Sequence, residues 1–130
     1  METLLGAQFV VHSSIVPAAI HIEDKHSPIA KGLPEVWQRA DEWYAFKENP
    51  RQKSGFHILA TVDEKTYDPG RASMGADHPL IWWHCVGQGH ALYSALGHAA
   101  SMYAEPLIVQ FLENALSWGV KQSGHACAVP

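Results

Sequence analysis

Asp77, His78 and His98 are the residues of this sequence whose types and spacing could do chemistry together. His78 sits near the end of the run Met74-Gly75-Ala76-Asp77-His78-Pro79. His98 follows Gly97 at the end of a segment that reads as a hairpin: an apolar run from Leu80 to Trp83, a Gly87-Gln88-Gly89 reversal, and a second strand-like run from His90 to Leu96. A hairpin centred on Gln88 makes His78 and His98 cross-strand partners, and directly opposed side chains stand about 4.5–5.5 Å apart at Cβ. Two imidazoles and a carboxylate would then share one sheet edge. A two-residue loop instead shifts the register by one and separates the pair. If the groups meet, His78 and His98 suit a divalent zinc, manganese or iron ion with a water in an open position. Without a metal, one imidazole serves as base or acid while the carboxylate orients it. The plainer reading is a structural corner: Asp77 caps a turn, Pro79 fixes the chain, and the histidines bond backbone.

A second acidic pair, Asp41-Glu42, opens an aromatic segment. Adjacent strand residues point to opposite faces, so at most one enters a common cleft. Glu42 is the better candidate, and a solvent-facing charge is the alternative. Trp43 and Tyr44, flanked by these carboxylates, are candidates for lining a polar cleft, and Gly97 would let a ligand approach the backbone. Trp82 and Trp83 are consecutive on a strand and face opposite ways, so one belongs to the core, as does Trp118. His12, His21, His57 and His125 read as surface or packing histidines, and His84 and His90, flanking the turn, as solvent-exposed ones. Cys85, preceded by Trp83 and His84, lacks the strand–turn–helix context of a reactive thiol and reads as a small packing residue. No Gly-x-Ser-x-Gly elbow and no glycine-rich phosphate loop occurs.

These residues need elements to hold them. Met1 to Gly6 reads as the tail of a helix stopped by Gly6. Ala19 to Asp24 alternates as a half-buried strand. Asp41 to Phe46 is a short aromatic strand halted by Asn49-Pro50. Phe56 to Val62 is apolar on both faces apart from His57 and Thr61, which predicts an interior strand covered on both sides. Asp68-Pro69-Gly70 opens a loop that runs to Asp77. Glu105-Pro106 starts one long helix, with Pro at its first position, a face of Ile108, Phe111, Leu112, Ala115 and Trp118, and Gly119 as its stop. Residues 121–130 form an irregular tail. About five strands and one long helix result. One helix cannot cover a two-faced strand, so extra helices near Val36-Trp37 and Met102-Tyr103, another polypeptide, or an absent N-terminal half must supply the rest; the last is the favoured expectation.

The chain has 130 residues, 47% of them hydrophobic and 17% charged, which fits one globular domain. A net charge of −4 with no Lys/Arg block argues against nucleic acid and anionic membrane surfaces. Nine histidines equal the Lys and Arg total, which raises the odds of a metal or proton-transfer site, although surface histidines account for most of them. Cys85 and Cys127 do not read as a disulfide framework, so a reducing, cytoplasmic compartment is expected. No apolar run nears 18 residues.

Several blocks together carry a family resemblance: Gly32-Leu33-Pro34 with Trp37, Asp41-Glu42-Trp43-Tyr44-Ala45-Phe46 with Asn49-Pro50-Arg51, Leu59-Ala60-Thr61-Val62-Asp63-Glu64 with Thr66-Tyr67, Met74 to Pro79, and Ala91 to His98 with Tyr103 and Pro106. From about Leu5 to Gly119 the order and spacing resemble the trehalose-utilisation (ThuA-like) family. The resemblance implies an α/β, class I glutamine-amidotransferase-like (flavodoxin-like) three-layer sandwich. Residues 1–120 would be its C-terminal part, with a mixed sheet and a C-terminal helix. It implies a role in carbohydrate utilisation on a small-molecule disaccharide or keto-sugar derivative, through hydrolase/lyase-like or isomerase-like chemistry; the visible residues argue against glutamine amidotransfer. Catalysis would fall to His78, His98, Asp77 and Glu42, and substrate contact to Trp43, Tyr44 and Gly97. The sequence departs from the family pattern at His90, where Arg is usual, and at Ala99, where Thr is usual. A degenerate or truncated sugar-binding or assembly module, and a homo-oligomer, are the accompanying expectations.

Overall fold

The computed structural model describes residues 2–128; Met1 of the expected helix tail, and Val129 and Pro130 of the C-terminal tail, lie outside them. Helix α1 (Glu2–Leu5) ends at Gly6, whose φ of +85° only glycine adopts readily. Five strands follow among the described residues: β1 (Phe9–Ile22), β2 (Val36–Phe46), β3 (His57–Val62), β4 (Pro79–Val86) and β5 (Gly89–Ser94). Helix α2 (Pro106–Gln122) comes last. The sheet order is β2-β1-β3-β4-β5 and every described pairing is antiparallel, which corrects the expected mixed sheet. Val36 and Trp37, considered for a helix, begin β2, while Met102 and Tyr103 do lie in a 3-10 turn, Ala100–Ala104.

β3 occupies the centre of the sheet, where its apolar sequence places it. β1 is much longer than its alternating part. Its second half has Ile20 and Ile22 buried and His21 exposed, and pairs with both neighbours. Its first half pairs with β2 alone, and the ladder shifts twice, between Phe9 and Val11 and between His12 and Ile15. Such bulges bend a strand and increase its twist. The sheet therefore curls, and its two edges approach one another: Phe46 at the end of β2 packs edge-on against Tyr93 of β5, with ring centroids 5.9 Å apart.

The core fills the curl. Trp43 and Trp82 are fully buried among Ile20, Leu59, Leu80 and Ile81. Each large indole removes enough apolar area from water to contribute on the order of 4–6 kcal/mol of transfer free energy. The Trp43 indole N–H donates to the Val16 carbonyl and that of Trp82 to the Leu5 carbonyl, so neither ring leaves a polar atom stranded. α2 buries Ile108, Phe111 and Trp118 against this core, Trp118 lying 5.5 Å from Trp83. Asn114 of α2 donates to the carbonyls of Ile29 and Lys31, fastening the helix to the Pro28–Ala30 turn. The helix runs through Gly119, the predicted stop, because nothing forces a positive φ there. Ser123 donates back to Gly119 and Val120, and Gly124, at φ +85°, makes the turn away.

Two histidine readings and both cysteine readings change. His84 is buried, stacked on Phe56 at 4.3 Å with its Nε2 on the Thr3 carbonyl, rather than solvent-exposed. His90 is half-buried between the rings of Trp83 and Trp118. Cys85 is not a lone packing residue: it is bonded to Cys127, across 42 residues, and ties the tail to the hairpin. That pairing removes the sequence argument for a reducing compartment. Among the described residues no helix is long and apolar enough to cross a membrane.

Candidate functional site at the closure of the sheet

The hairpin turn decides which candidates meet. Ile81 pairs with Ser94 and Val86 with Gly89, so the loop is the two residues Gly87 and Gln88, with Gly87 at φ +58°. A positive φ at the first loop position is the pattern of tight hairpin turns, whose twist suits the flanking strands. The register is therefore one residue away from the one that would oppose His78 and His98. The two imidazoles are not cross-strand partners, and the expected facing pair does not form.

Each histidine instead approaches β2 on its own. His78 is completely buried, with Nδ1 2.8 Å from a Glu64 carboxylate oxygen and Nε2 donating to the Tyr44 carbonyl at 2.8 Å. Both nitrogens are engaged and the ring has no route to a ligand. Glu64 also accepts the Ser73 hydroxyl and the Met74 backbone N–H. Burial pushes the Glu64 carboxyl up, but these donors and the His78 ring outweigh it and hold the group below its ordinary range. Asp77 faces Arg51, which spans both its carboxylate oxygens at 2.8 and 2.9 Å, with Asn49 adding a third donor. The guanidinium, against a smaller burial effect, keeps Asp77 well ionised. Asp77, His78 and Glu64 thus form a pinned corner. Beside it lies a cleft of about 470 Å³ lined by His21, Asp63, Glu64 and Lys65.

His98 behaves differently. Its side chain is 47% exposed, its Nδ1 lies 3.0 Å from Glu42, and its Nε2 has no protein partner among the described residues. Glu42 is only 12% exposed and also lies 3.5 Å from the half-exposed His12 ring. Tyr44, two residues along the same face of β2, packs against Phe9 (4.9 Å) and His12 (5.9 Å). Burial, then the charges of Glu42 and Asp41 and the Tyr103 phenol, push the Tyr44 hydroxyl up in pKa, so it remains a hydrogen-bond donor at neutral pH. Tyr93, pushed up to about 12 by burial and by Tyr44, does the same. The seam between β2 and the segment after β5 therefore gathers an imidazole–carboxylate pair, phenol hydroxyls and an exposed ring.

At the seam sits Asp41, for whose acidic pair a solvent-facing charge was the alternative reading. It is fully buried. One carboxylate oxygen accepts the Gly97 N–H at 2.7 Å, and the other accepts the N–H groups of His98 at 3.2 Å and of Glu42 at 2.9 Å. Arg39 pairs with Asp41 from two residues away on the same face, and reaches Glu105 just before α2 through two contacts of 3.2 Å. Gly97, at φ +96°, is needed for a second reason: a Cβ there would stand 2.7 Å from the Tyr103 hydroxyl oxygen. That space admits the protein's own Tyr103 rather than a ligand. Trp43, expected to line a cleft, has no exposed surface. Thus the structure brings together Glu42, Tyr44, Gly97 and His98, and leaves Asp77, His78 and Trp43 outside that group. It adds His12, Arg39, Asp41, Tyr103 and Glu105. The signal for Arg39 and Asp41 was present in the sequence: they alternate with Trp37 and Trp43 on one strand face, which makes them inward-facing charges that pair. Among the described residues no group of three or more His, Cys, Asp or Glu is arranged to hold a metal ion, and the hairpin register does not make His78 and His98 the facing pair from which shared ligation was expected.

Comparison with known proteins agrees with this fold. The family profile for trehalose utilisation, ThuA, matches residues 1–119. A ThuA-like protein of Bacteroides uniformis ATCC 8492 superposes with a TM-score of 0.75 at 23% identity, over 92% of this chain and 49% of that one. A ThuA-like protein of Parabacteroides merdae ATCC 43184 gives a TM-score of 0.60 at 24% identity, over 91% of this chain and 42% of the other. This chain thus spans about half the length of those structures or less. No curated protein matches it.

Proposed function

Because the chain belongs to the ThuA trehalose-utilisation family, we propose that it serves carbohydrate utilisation by holding a disaccharide or keto-sugar derivative at the seam where His98, Glu42 and Tyr44 meet. The observation that carries this reading is the pairing of a half-exposed imidazole with a nearly buried carboxylate at 3.0 Å. When His98 Nδ1–H donates to Glu42, the free Nε2 is left as an acceptor aimed away from its orienting partner. An imidazole so held can take a proton from a sugar hydroxyl or return one. Tyr44 and Tyr103 supply hydroxyl donors, and the rings of Phe9 and Tyr44 offer flat apolar surface for the C–H face of a sugar. We also take residues 1–120 to correspond to the C-terminal part of a class I glutamine-amidotransferase-like domain. The activity of a full-length ThuA-like protein belongs to this proposal.

A second reading, binding without turnover, is favoured by one observation. His90 is held among Trp83 and Trp118 and is committed to packing. If the arginine usual at that position serves the ligand, this chain lacks it. Calorimetry and product analysis with trehalose and an oxidised keto-disaccharide test both readings. We expect the wild type to bind, and His98→Ala and Glu42→Gln each to weaken binding or turnover about tenfold or more, the worth of a charge-assisted hydrogen bond. Unchanged binding and turnover of every sugar by His98→Ala would end the proposal. Binding by the wild type with no product would favour the binding module.

A further inference from the structure

We propose that Asp41 is the positioning residue of the seam: its buried carboxylate, not the hairpin, sets His98 against Glu42. The inference rests on the reading of the seam as the site, and it concerns how that site is built. His98 lies beyond the last residue of β5, and among the described residues its segment has no strand partner and neither its backbone N–H nor that of Gly97 has a backbone acceptor. Gly97 is half-buried and His98 exposed, but both N–H groups turn onto the fully buried Asp41, and donors withdrawn from water need partners. Both find theirs on one side chain 56 and 57 residues earlier in the chain. The same carboxylate binds the N–H of Glu42, the residue whose side chain meets the His98 ring. One group therefore fixes the backbone of both members of the pair. Arg39 supplies the compensating charge and carries the connection on to Glu105, so the start of α2 is fastened to the same point.

The carboxylate is chemically necessary here. Its two oxygens accept four donors: Arg39 and Gly97 on one, Glu42 and His98 on the other. An asparagine of the same shape has one oxygen and one NH2. Whichever way it is turned, the NH2 faces two N–H donors, and an unpaired buried donor is costly. Asp41→Asn keeps the volume and the strand while removing one acceptor oxygen; its remaining oxygen turns to the Arg39 cation and Gly97, and the NH2 meets the N–H groups of Glu42 and His98.

The test uses the whole chain. In the wild type, amide hydrogen exchange should find the Gly97 and His98 N–H groups protected at least about tenfold relative to a free loop, as a hydrogen bond to a charged acceptor implies. Exchange at free-loop rates would overturn the proposal without any variant. In Asp41→Asn the His98 amide should lose protection while Gly97 keeps the remaining oxygen, the nuclear Overhauser contacts between the His98 ring and Glu42 should vanish, and affinity for the sugar panel should fall about tenfold or more. Trp118→Ala, which weakens the core at the far end of α2 from Glu105, should leave those contacts in place. An Asp41→Asn protein that keeps the ring contacts would sink the idea. Should the wild type bind no sugar, the sugar reading fails, while the exchange and ring measurements still decide what places His98.

Discussion

Glu64 gathers donors from three places, the Ser73 hydroxyl, the Met74 N–H and the His78 ring, and its side chain is nearly buried. Its carboxyl is depressed in the folded chain below the ordinary value of 4.5, although burial alone would raise it. A depressed carboxyl contributes stability that is complete above its unfolded value and is lost as pH falls through the folded one. Glu64→Gln should therefore lower stability by about 2 kcal/mol near neutral pH, the scale of a charge-assisted hydrogen bond. In urea titrations at a series of pH values the gap between variant and wild type should close below 4.5. A gap that stays constant to acid would mean that the carboxylate charge is not what the corner uses. Asp77, more exposed and facing Arg51, should add to the same acid limb. The importance of the Asp77-His78 run was legible in the sequence, but its role was not. Both polar residues look available for chemistry until Glu64, Asn49 and Arg51 are seen to occupy them.

At the scale of elements, helix α2 has two unlike faces. Trp118 is 9% exposed on the inner one, whereas Leu116 and Val120 are 71% and 74% exposed on the outer. Trp118→Ala should cost about 3–5 kcal/mol through lost burial and the cavity left behind. Leu116→Lys should stay within about 0.5 kcal/mol. Thermal or urea unfolding of the two variants gives the comparison, and equal losses would contradict the packing described. The proline start, the central strand β3 and the inner stripe of Ile108, Phe111 and Trp118 were readable because periodicity and position agree there, whereas Leu112, expected on that stripe, is exposed. β1 was half-hidden because Phe9, Val10, His12 and Ile15 are all exposed and the ladder shifts twice, so no alternation marks them. His12 was missed for that reason. The hairpin itself was plain in the sequence. Its register was not, since Gly87-Gln88-Gly89 accommodates either a two- or a three-residue reversal, and one residue separates them.

Across the whole molecule, the Cys85–Cys127 bond closes a loop of 42 residues that includes β5, the His98 segment and α2. In the chain-entropy account a loop of that length is worth roughly 4 kcal/mol, with measured bonds scattered below it. Cys85→Ser with Cys127→Ser should shift the urea midpoint accordingly, and an unchanged midpoint would show that the tail was held by other contacts. Neither cysteine announced this, because one lies in a strand and the other in an irregular tail, and their meeting depends on where α2 returns the chain. The curl of the sheet carries a different implication, for folding order. Contacts between Asp41 and residues 97 and 98 span nearly half the sequence, and such distant contacts are won slowly, after local ones. A carbohydrate held between these edges would bind only chains that have completed closure. By mass action it would draw the whole population toward the native state, so that ligand occupancy registers as a rise in melting temperature of the entire chain rather than as a local ordering of one loop.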